Sequence, residues 1–241
     1  MISSAPVDWF HTLRVKAKIA TRLLPPANVS RETLTEVVEP EPAVAATLFG
    51  DRIDLARRFT ANLATHGEEL GLIGPLELPR LWTRHILNSV LVAPLLHGRV
   101  GDIGTGAGLP GLVLAIARPD VEFVLIEPME RRVAWLNDQV AELGLTNVTV
   151  LRERAEDVRK DILLDQITAR AVSALKKLIP LTAPLVKPGG ELVLMKGAGA
   201  PAEIEAAAKQ IKAFKLHNVE VLTLGEGVLD EVTRVVRATV E

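Results

Sequence analysis

A chain of 241 residues, 48% hydrophobic and 24% charged, has the composition of an ordinary globular protein with room for a sizeable core. A formal charge of −2 excludes a protein that coats nucleic acid by bulk charge, and 3% aromatics without tyrosine exclude an extended base-stacking platform. The absence of cysteine removes disulfides, thiolate metal sites and covalent cysteine catalysis.

No apolar run approaches the length of a membrane span, and the basic N-terminus lacks a continuous apolar stretch of signal-peptide type. A cytoplasmic protein without membrane association is therefore expected, with no metal centre. Residues 1–40 differ from the rest of the chain: "LLPPANVSRETLTEVVEPEPA" mixes prolines with charge and keeps no period, as a flexible extension would. From Pro42 the pattern turns helical. "AVAATLFGDRIDLARRFTANLATHG" sets Leu55, Phe59 and Leu63 at four-residue steps. After "GLIGPLELP", the segment "RLWTRHILNSVLVAPLL" has helical spacing at Leu81, Ile86, Val90 and Leu91.

Beyond residue 97 short apolar or β-branched segments take over: "RVGDI", "VEFVLIE", "VTVLR", "QITAR", "ELVLMKG", "VEVLTL" and "TRVVRATV". The early ones alternate with helical stretches, which predicts a parallel sheet covered on both faces. The last two follow one another through "GEGVLDEV" without a helix, which predicts an antiparallel hairpin at one end. The expected architecture is α/β: a Rossmann-like, mostly parallel seven-stranded sheet over 98–241, with extra N-terminal helices over 41–97.

"VGDIGTGAGLPG", residues 100–111, places five glycines at the first strand-to-helix crossover. Gly104 is expected to end the strand, while Gly106 and Gly108 let the chain turn tightly and bring backbone N–H groups to a ligand. Pro110 is expected in the first turn of the next helix, where a missing N–H costs nothing. Glu127 ends the following strand, where an acid accepts hydrogen bonds from ribose hydroxyls. A tight turn without a ligand is the bland alternative; loop, strand and acid together point to a nucleoside-containing cofactor.

"GAGLPG" matches G-x-G-x-x-G, which keeps a nicotinamide dinucleotide open. The strand, however, runs into Asp102, Ile103 and Gly104 before that match begins, and an acid such as Asp102 suits a cation better than a pyrophosphate. S-adenosylmethionine carries an amino group and a sulfonium and has no phosphate. No Lys-Ser/Thr follows the glycines, which excludes a P-loop.

"LRERAEDV" places Ala155 and Glu156 after the third strand, where the chain can line an adenine; Glu156 fits a helix cap equally well. "DQITARAVSAL" puts Arg170 at the end of the fourth strand, over the pocket, where a guanidinium is costly unless it meets a carboxylate, a phosphate or a base. In this order, "LWTRHILNS", "VGDIGTGAGLPG", "RAE", "TARA" and "LMKG" resemble the bacterial small-subunit rRNA guanine-N7 methyltransferases, also called glucose-inhibited division protein B, over about residues 42–241. The resemblance implies a class I S-adenosylmethionine-dependent methyltransferase fold, S-adenosylmethionine as cofactor, and 16S rRNA or the small ribosomal subunit as partner of a monomer. It further implies methylation at N7 of one guanine near the decoding centre, position 527 of 16S rRNA, with cofactor contacts at Gly104, Leu109, Ala155, Glu156 and Arg170 and Glu127 as the ribose acid.

Besides an N-terminal extension with no counterpart in the motifs, the chain departs from the family pattern in two places. Asn88 stands where the family's helix usually has Asp, and Arg131 and Arg132 replace a usual Lys-Arg pair with no change of charge. Guanine N7 has a lone pair and no proton to lose, so its methylation needs alignment and no general base. Methylation at cytosine C5 is excluded by the missing thiol, and the Asn/Asp-Pro-Pro-aromatic signature of exocyclic amine methylation is absent. Arg84, His85, Arg170, Lys196 and Arg234 form the expected RNA-facing basic set. Alternatives stand beside three of them: His85 as a satisfied buried histidine, Lys196 as a solvated strand end, Arg234 as a surface cation. A small-molecule methyltransferase, a dinucleotide-dependent oxidoreductase and a non-catalytic cofactor sensor complete the readings open at this point.

Overall fold

Residues 38–158 and 162–241 are described by a computed structural model, so the extension expected over 1–40 lies outside the described residues except for its last three. Two helices, α1 (Val44–Phe49) and α2 (Ile53–His66), flank a 3-10 turn at Gly50–Arg52. Helix α2 buries Ala56, Phe59, Thr60 and Leu63, the three- and four-residue spacing of a single face. Leu55, at the edge of that stripe, is half-buried. A 3-10 turn at Pro75–Arg80 leads into a π-helix, Leu81–Leu87, which continues as an α-helix to Val90. Leu81 and Ile86, both fully buried, are five residues apart, matching the wider π turn better than an α turn.

The core alternates strands and helices: β1 (Arg99–Ile103), α3 (Gly111–Ala117), β2 (Glu122–Ile126), α4 (Glu130–Leu143), β3 (Val148–Leu151), β4 (Leu164–Arg170), α5 (Leu175–Thr182), β5 (Val186–Lys196), α6 (Ala200–Ala206), α7 (Ala208–Ala213), β6 (Leu216–Leu224) and β7 (Thr233–Val240). Strand order is β3-β2-β1-β4-β5-β7-β6. The strands from β1 to β5 pair in parallel, whereas β7 runs antiparallel to both β5 and β6. Alternation along each strand feeds two cores. Phe123, Leu125, Val193 and Met195 pack with α1–α4 and the π-helix; Val124, Ile126, Leu192 and Leu194 pack on the other face with α5–α7. The order reverses at β1, which pairs with β2 on one side and β4 on the other, so the crevice at the carboxyl ends of these strands is where a ligand sits in such sheets. Among the described residues no helix is long and apolar enough to cross a membrane.

Candidate active site

Beyond β1, Gly104, Gly106 and Gly108 adopt φ of 67°, 59° and 92°, the left-handed region that disfavours side chains. A Cβ on Gly108 would lie 2.4 Å from Leu112 Cδ1, and one on Gly104 would lie 3.0 Å from Val172 Cγ2. At Gly106 the nearest atom would be the Gly104 carbonyl oxygen, 3.8 Å away, so the middle of the loop presents bare main chain to open space. Pro110 stands at the N-cap of α3, one position earlier than expected.

Two groups pin this loop from the neighbouring strand and helix. Glu127, just past β2 and 2% exposed, accepts from the Gly106 N–H at 3.0 Å through Oε2 and from the Met129 N–H at 3.0 Å through Oε1. Trp135 on α4 donates its indole N–H to the Ala107 carbonyl at 3.0 Å. Beneath the loop, Asp102 is fully buried and accepts from the Gly111 N–H at 2.8 Å through Oδ2. Its Oδ1 and the Thr105 hydroxyl have no hydrogen-bond partner among the described residues. Burial pushes the Asp102 carboxyl up to about 7, against the pull of the neighbouring Thr105 hydroxyl, the Gly111 N–H and the Arg170 charge.

This donor set fits S-adenosylmethionine. The glycine N–H groups are not left for a ligand as expected, since Gly104 donates to the Ile126 carbonyl, Gly106 to Glu127 and Gly108 to the Thr105 carbonyl. What fits is the pair of carboxylates bordering a loop that a side chain does not cover at Gly106, with a buried acceptor oxygen lacking a partner among the described residues, which suits hydroxyl and ammonium donors. A pyrophosphate would meet both acids. Leu109 is buried in the same loop. Ala155, half-buried, and Glu156, exposed, lie on a one-turn 3-10 helix past β3 (Ala155–Asp157).

A second construction adjoins the loop at the ends of β4, β5 and β7. Here a cleft of about 440 Å³ is lined by Asn88, Arg170, Ser173, Met195, Lys196 and Thr233 among others. Arg170 donates from Nη1 to the Arg84 carbonyl at 3.3 Å and points Nη2 at His85 Nδ1, 3.1 Å away. Burial draws its guanidinium down to about 10, with the Asp102 charge opposing. The next residue, Ala171, has φ of 56°, a strained value for a side-chain-bearing residue. His85 meets Glu77 Oε2 at 2.7 Å through Nε2. Burial and the Arg170 charge hold its imidazole below the usual histidine range.

The expected basic set therefore divides. His85 has both ring nitrogens taken by protein groups, as a satisfied histidine does, and is not a free cation. Lys196, 9% exposed, donates to the Ser173 carbonyl at 2.6 Å and pairs with Glu203 at 2.9 Å. It ties the end of β5 to the loop after β4 and is not a solvated strand end. Arg84 is exposed and 3.5 Å from Glu77. Arg234 sits opposite Lys196 in the β5–β7 ladder and forms no ion pair among the described residues. Glu77, Glu203, Trp135 and the strained Ala171 escaped sequence reading. Glu77 lies in a Gly/Pro-rich stretch without a period, and nothing local marks the other three.

Two solved structures share the architecture at a TM-score of 0.50. They are a tRNA (m1A58) methyltransferase from Aquifex aeolicus, 15% identical and covering 64% of this chain and 68% of its own, and an S-adenosylmethionine-dependent O-methyltransferase from Thermotoga maritima, 16% identical and covering 68% and 69%. With the acid-bordered glycine loop at its first crossover, the fold is that of the class I S-adenosylmethionine-dependent methyltransferases.

A family model described as rRNA small subunit methyltransferase G matches residues 52–232. A ribosomal RNA small subunit methyltransferase G from Leifsonia xyli subsp. xyli is 73% identical over 208 residues, 86% of this chain and 100% of the relative. One from Pseudarthrobacter chlorophenolicus is 54% identical over 209 residues, 86% and 97% of the two chains. One from Corynebacterium glutamicum is 47% identical over 200 residues, 81% and 90%. The chain belongs to the rRNA small subunit methyltransferase G family.

Proposed function

We propose that the protein transfers the methyl group of S-adenosylmethionine to N7 of a guanine in 16S rRNA, at position 527 as the sequence resemblance implies. The observation that carries this reading is the juxtaposition of the acid-bordered glycine loop with the cleft that opens beside it under Arg170. Bound in the loop, S-adenosylmethionine supplies an electrophilic methyl carbon on a sulfonium. Glu127 holds the ribose, Asp102 and Thr105 offer acceptors to the amino-acid end, and the chain at Ala155 and Glu156 borders the adenine. Arg170 and Lys196 line the cleft that receives the base, with Arg234 beside them.

The commitment of His85 to Glu77 and Arg170 supports an acceptor that needs no general base. With S-adenosylmethionine held there, its sulfonium would supply the methyl carbon to the N7 lone pair, and because N7 has no proton to lose no side chain of this protein would have to remove one. What the chain must provide is alignment and a cleft that excludes water, the terms in which such a transfer is accelerated. In an A-form helix N7 lies in a deep, narrow groove, so the guanine has to be single-stranded or turned out of its stack to enter the cleft.

Mass-spectrometric mapping of 16S rRNA from cells lacking the protein is expected to show the loss of one 7-methylguanosine, restored by the native gene and not by Arg170→Ala. An unchanged map, or label passing to small-molecule acceptors and not to RNA with the purified protein, overturns the proposal.

A further inference from the structure

We propose that Glu77 and His85 are positioning residues for methyl transfer: a neutral His85, anchored by Glu77, fixes the Arg170 guanidinium in the orientation it presents to the cleft. This rests on the proposed function, in which Arg170 faces cofactor and base.

Proton placement on three side chains carries the argument. A guanidinium has donors and no acceptor, so the 3.1 Å approach of Arg170 Nη2 to His85 Nδ1 requires a lone pair on Nδ1. The single ring proton is then on Nε2, where it is donated to Glu77 Oε2 at 2.7 Å. Glu77 is in turn held by Arg80, whose Nη2 reaches Oε1 at 2.7 Å, and by Arg84, 3.5 Å from Oε2. The second Arg170 nitrogen, Nη1, is taken by the Arg84 carbonyl. Consecutive residues of the π-helix thus grip both ends of the guanidinium across 85 and 86 positions of sequence.

The acceptors are a carbonyl and an imidazole, and their neutrality matters. A carboxylate paired directly with Arg170 would fix it in two places and cancel its charge. A neutral nitrogen and a carbonyl fix it equally well and leave the positive charge for the cleft. Glu77, one side chain removed, sets the imidazole tautomer from a distance. The charged groups facing His85 are Glu77 from the 3-10 turn, Arg84 from its own helix and Arg170 from β4, with Arg80 behind Glu77 and Asp102 behind Arg170. A second ring proton would replace the Nδ1 acceptor with a donor aimed at a donor, so acid breaks the grip.

The test uses paired variants assayed for kcat and KM on small-subunit rRNA across the histidine pH range, alongside S-adenosylmethionine affinity and unfolding temperature. In His85→Asn the amide oxygen can fall near the Nδ1 position and still accept from Arg170; in His85→Gln the amide reaches Glu77 and leaves Arg170 without its acceptor. The expected result is a kcat about tenfold or more lower for His85→Gln than for His85→Asn, the scale of loss when a positioned group slips. Cofactor affinity should be similar in both; the native enzyme should lose kcat on the acid side as His85 takes a second proton, and His85→Asn should not. Equal kcat for the two variants, or an acid limb that persists in His85→Asn, overturns the proposal. Should either variant fail to fold, Glu77→Gln and Glu77→Ala decide: Gln retains an acceptor for Nε2–H and should keep most of kcat, Ala should not, and equal kcat overturns the proposal. Full activity of Arg170→Ala would instead overturn the reading on which this one rests.

Discussion

Between Gly104 and Gly108 the surface beside β1 is main chain, shaped by three left-handed φ values and pinned by Glu127 and Trp135. Across β4 and β5 the surface is long side chains that hold one another: Arg170 on His85, His85 on Glu77, Lys196 on Glu203. The first half depends on what is absent, since a single methyl in the wrong place obstructs it. The second half depends on donors and acceptors being matched, and it degrades bond by bond. A cofactor presenting the same atoms every time suits the first kind of surface. A base inside a large RNA, which must be admitted and aligned, suits the second.

Adding one carbon to the loop should break the first half most severely. Gly108→Ala is expected to cost about 3 kcal/mol, combining a left-handed conformation with overpacking against Leu112. Gly106→Ala, with open space around its Cβ, should cost about 1 kcal/mol of stability and act mainly on cofactor affinity. Denaturant midpoints with calorimetric titration of S-adenosylmethionine separate the two effects. Equal stability losses at both positions would show that φ alone governs the loop.

The next effect in size has the opposite sign. Asp102 has a folded value of about 7 against 3.8 for a free carboxyl, so the folded state binds its proton more tightly. The stability this confers is complete below about pH 4 and is lost as pH rises to about 7. Asp102→Asn keeps an acceptor for the Gly111 N–H and escapes that loss. It should therefore unfold later than the native protein by roughly 2 kcal/mol above neutrality, with little difference at pH 4, while binding S-adenosylmethionine less tightly. Unfolding midpoints that stay parallel from acid to alkaline pH would show that Asp102 stays charged when buried.

On the side-chain half, Lys196→Met should cost about 1 kcal/mol. It leaves Glu203 with the Leu175 N–H at 2.9 Å and removes the donor from the Ser173 carbonyl. Urea titration checks it; an unchanged midpoint would mean that water replaces the ammonium at no cost.

These halves were unequally legible in the sequence. The glycines, Asp102 and Glu127 lie within one strand–helix–strand unit, so spacing alone brought them together. Strands were legible because each alternates between two cores, as Val124 and Leu125 do. The end hairpin was legible too, but not the insertion of β7 between β5 and β6. Its cause is compositional: β7 buries Val235, Val236 and Ala238, while β6 carries exposed His217, Asn218 and Glu220 and so takes the edge. The Glu77–His85–Arg170 chain could not be read at all. Its members come from a turn, a π-helix and a strand end, and no periodicity links residues 85 apart.

The smallest expected effect on stability falls on Arg234, and it tests whether the side-chain half extends to the last strand. In the β5–β7 ladder Arg234 stands directly opposite Lys196, two like charges side by side, but only Lys196 is tied to a carboxylate. A like-charged neighbour opposite is unfavourable in a sheet, so the pair is retained against a small cost. Arg234→Ala should therefore change unfolding by less than about 0.5 kcal/mol, while weakening rRNA binding and reducing its salt slope by about one phosphate contact. Binding measured over a range of salt concentrations decides it. A native slope in the variant would return Arg234 to the ordinary surface and confine the RNA-facing charge of this half to Arg170 and the helix before β1.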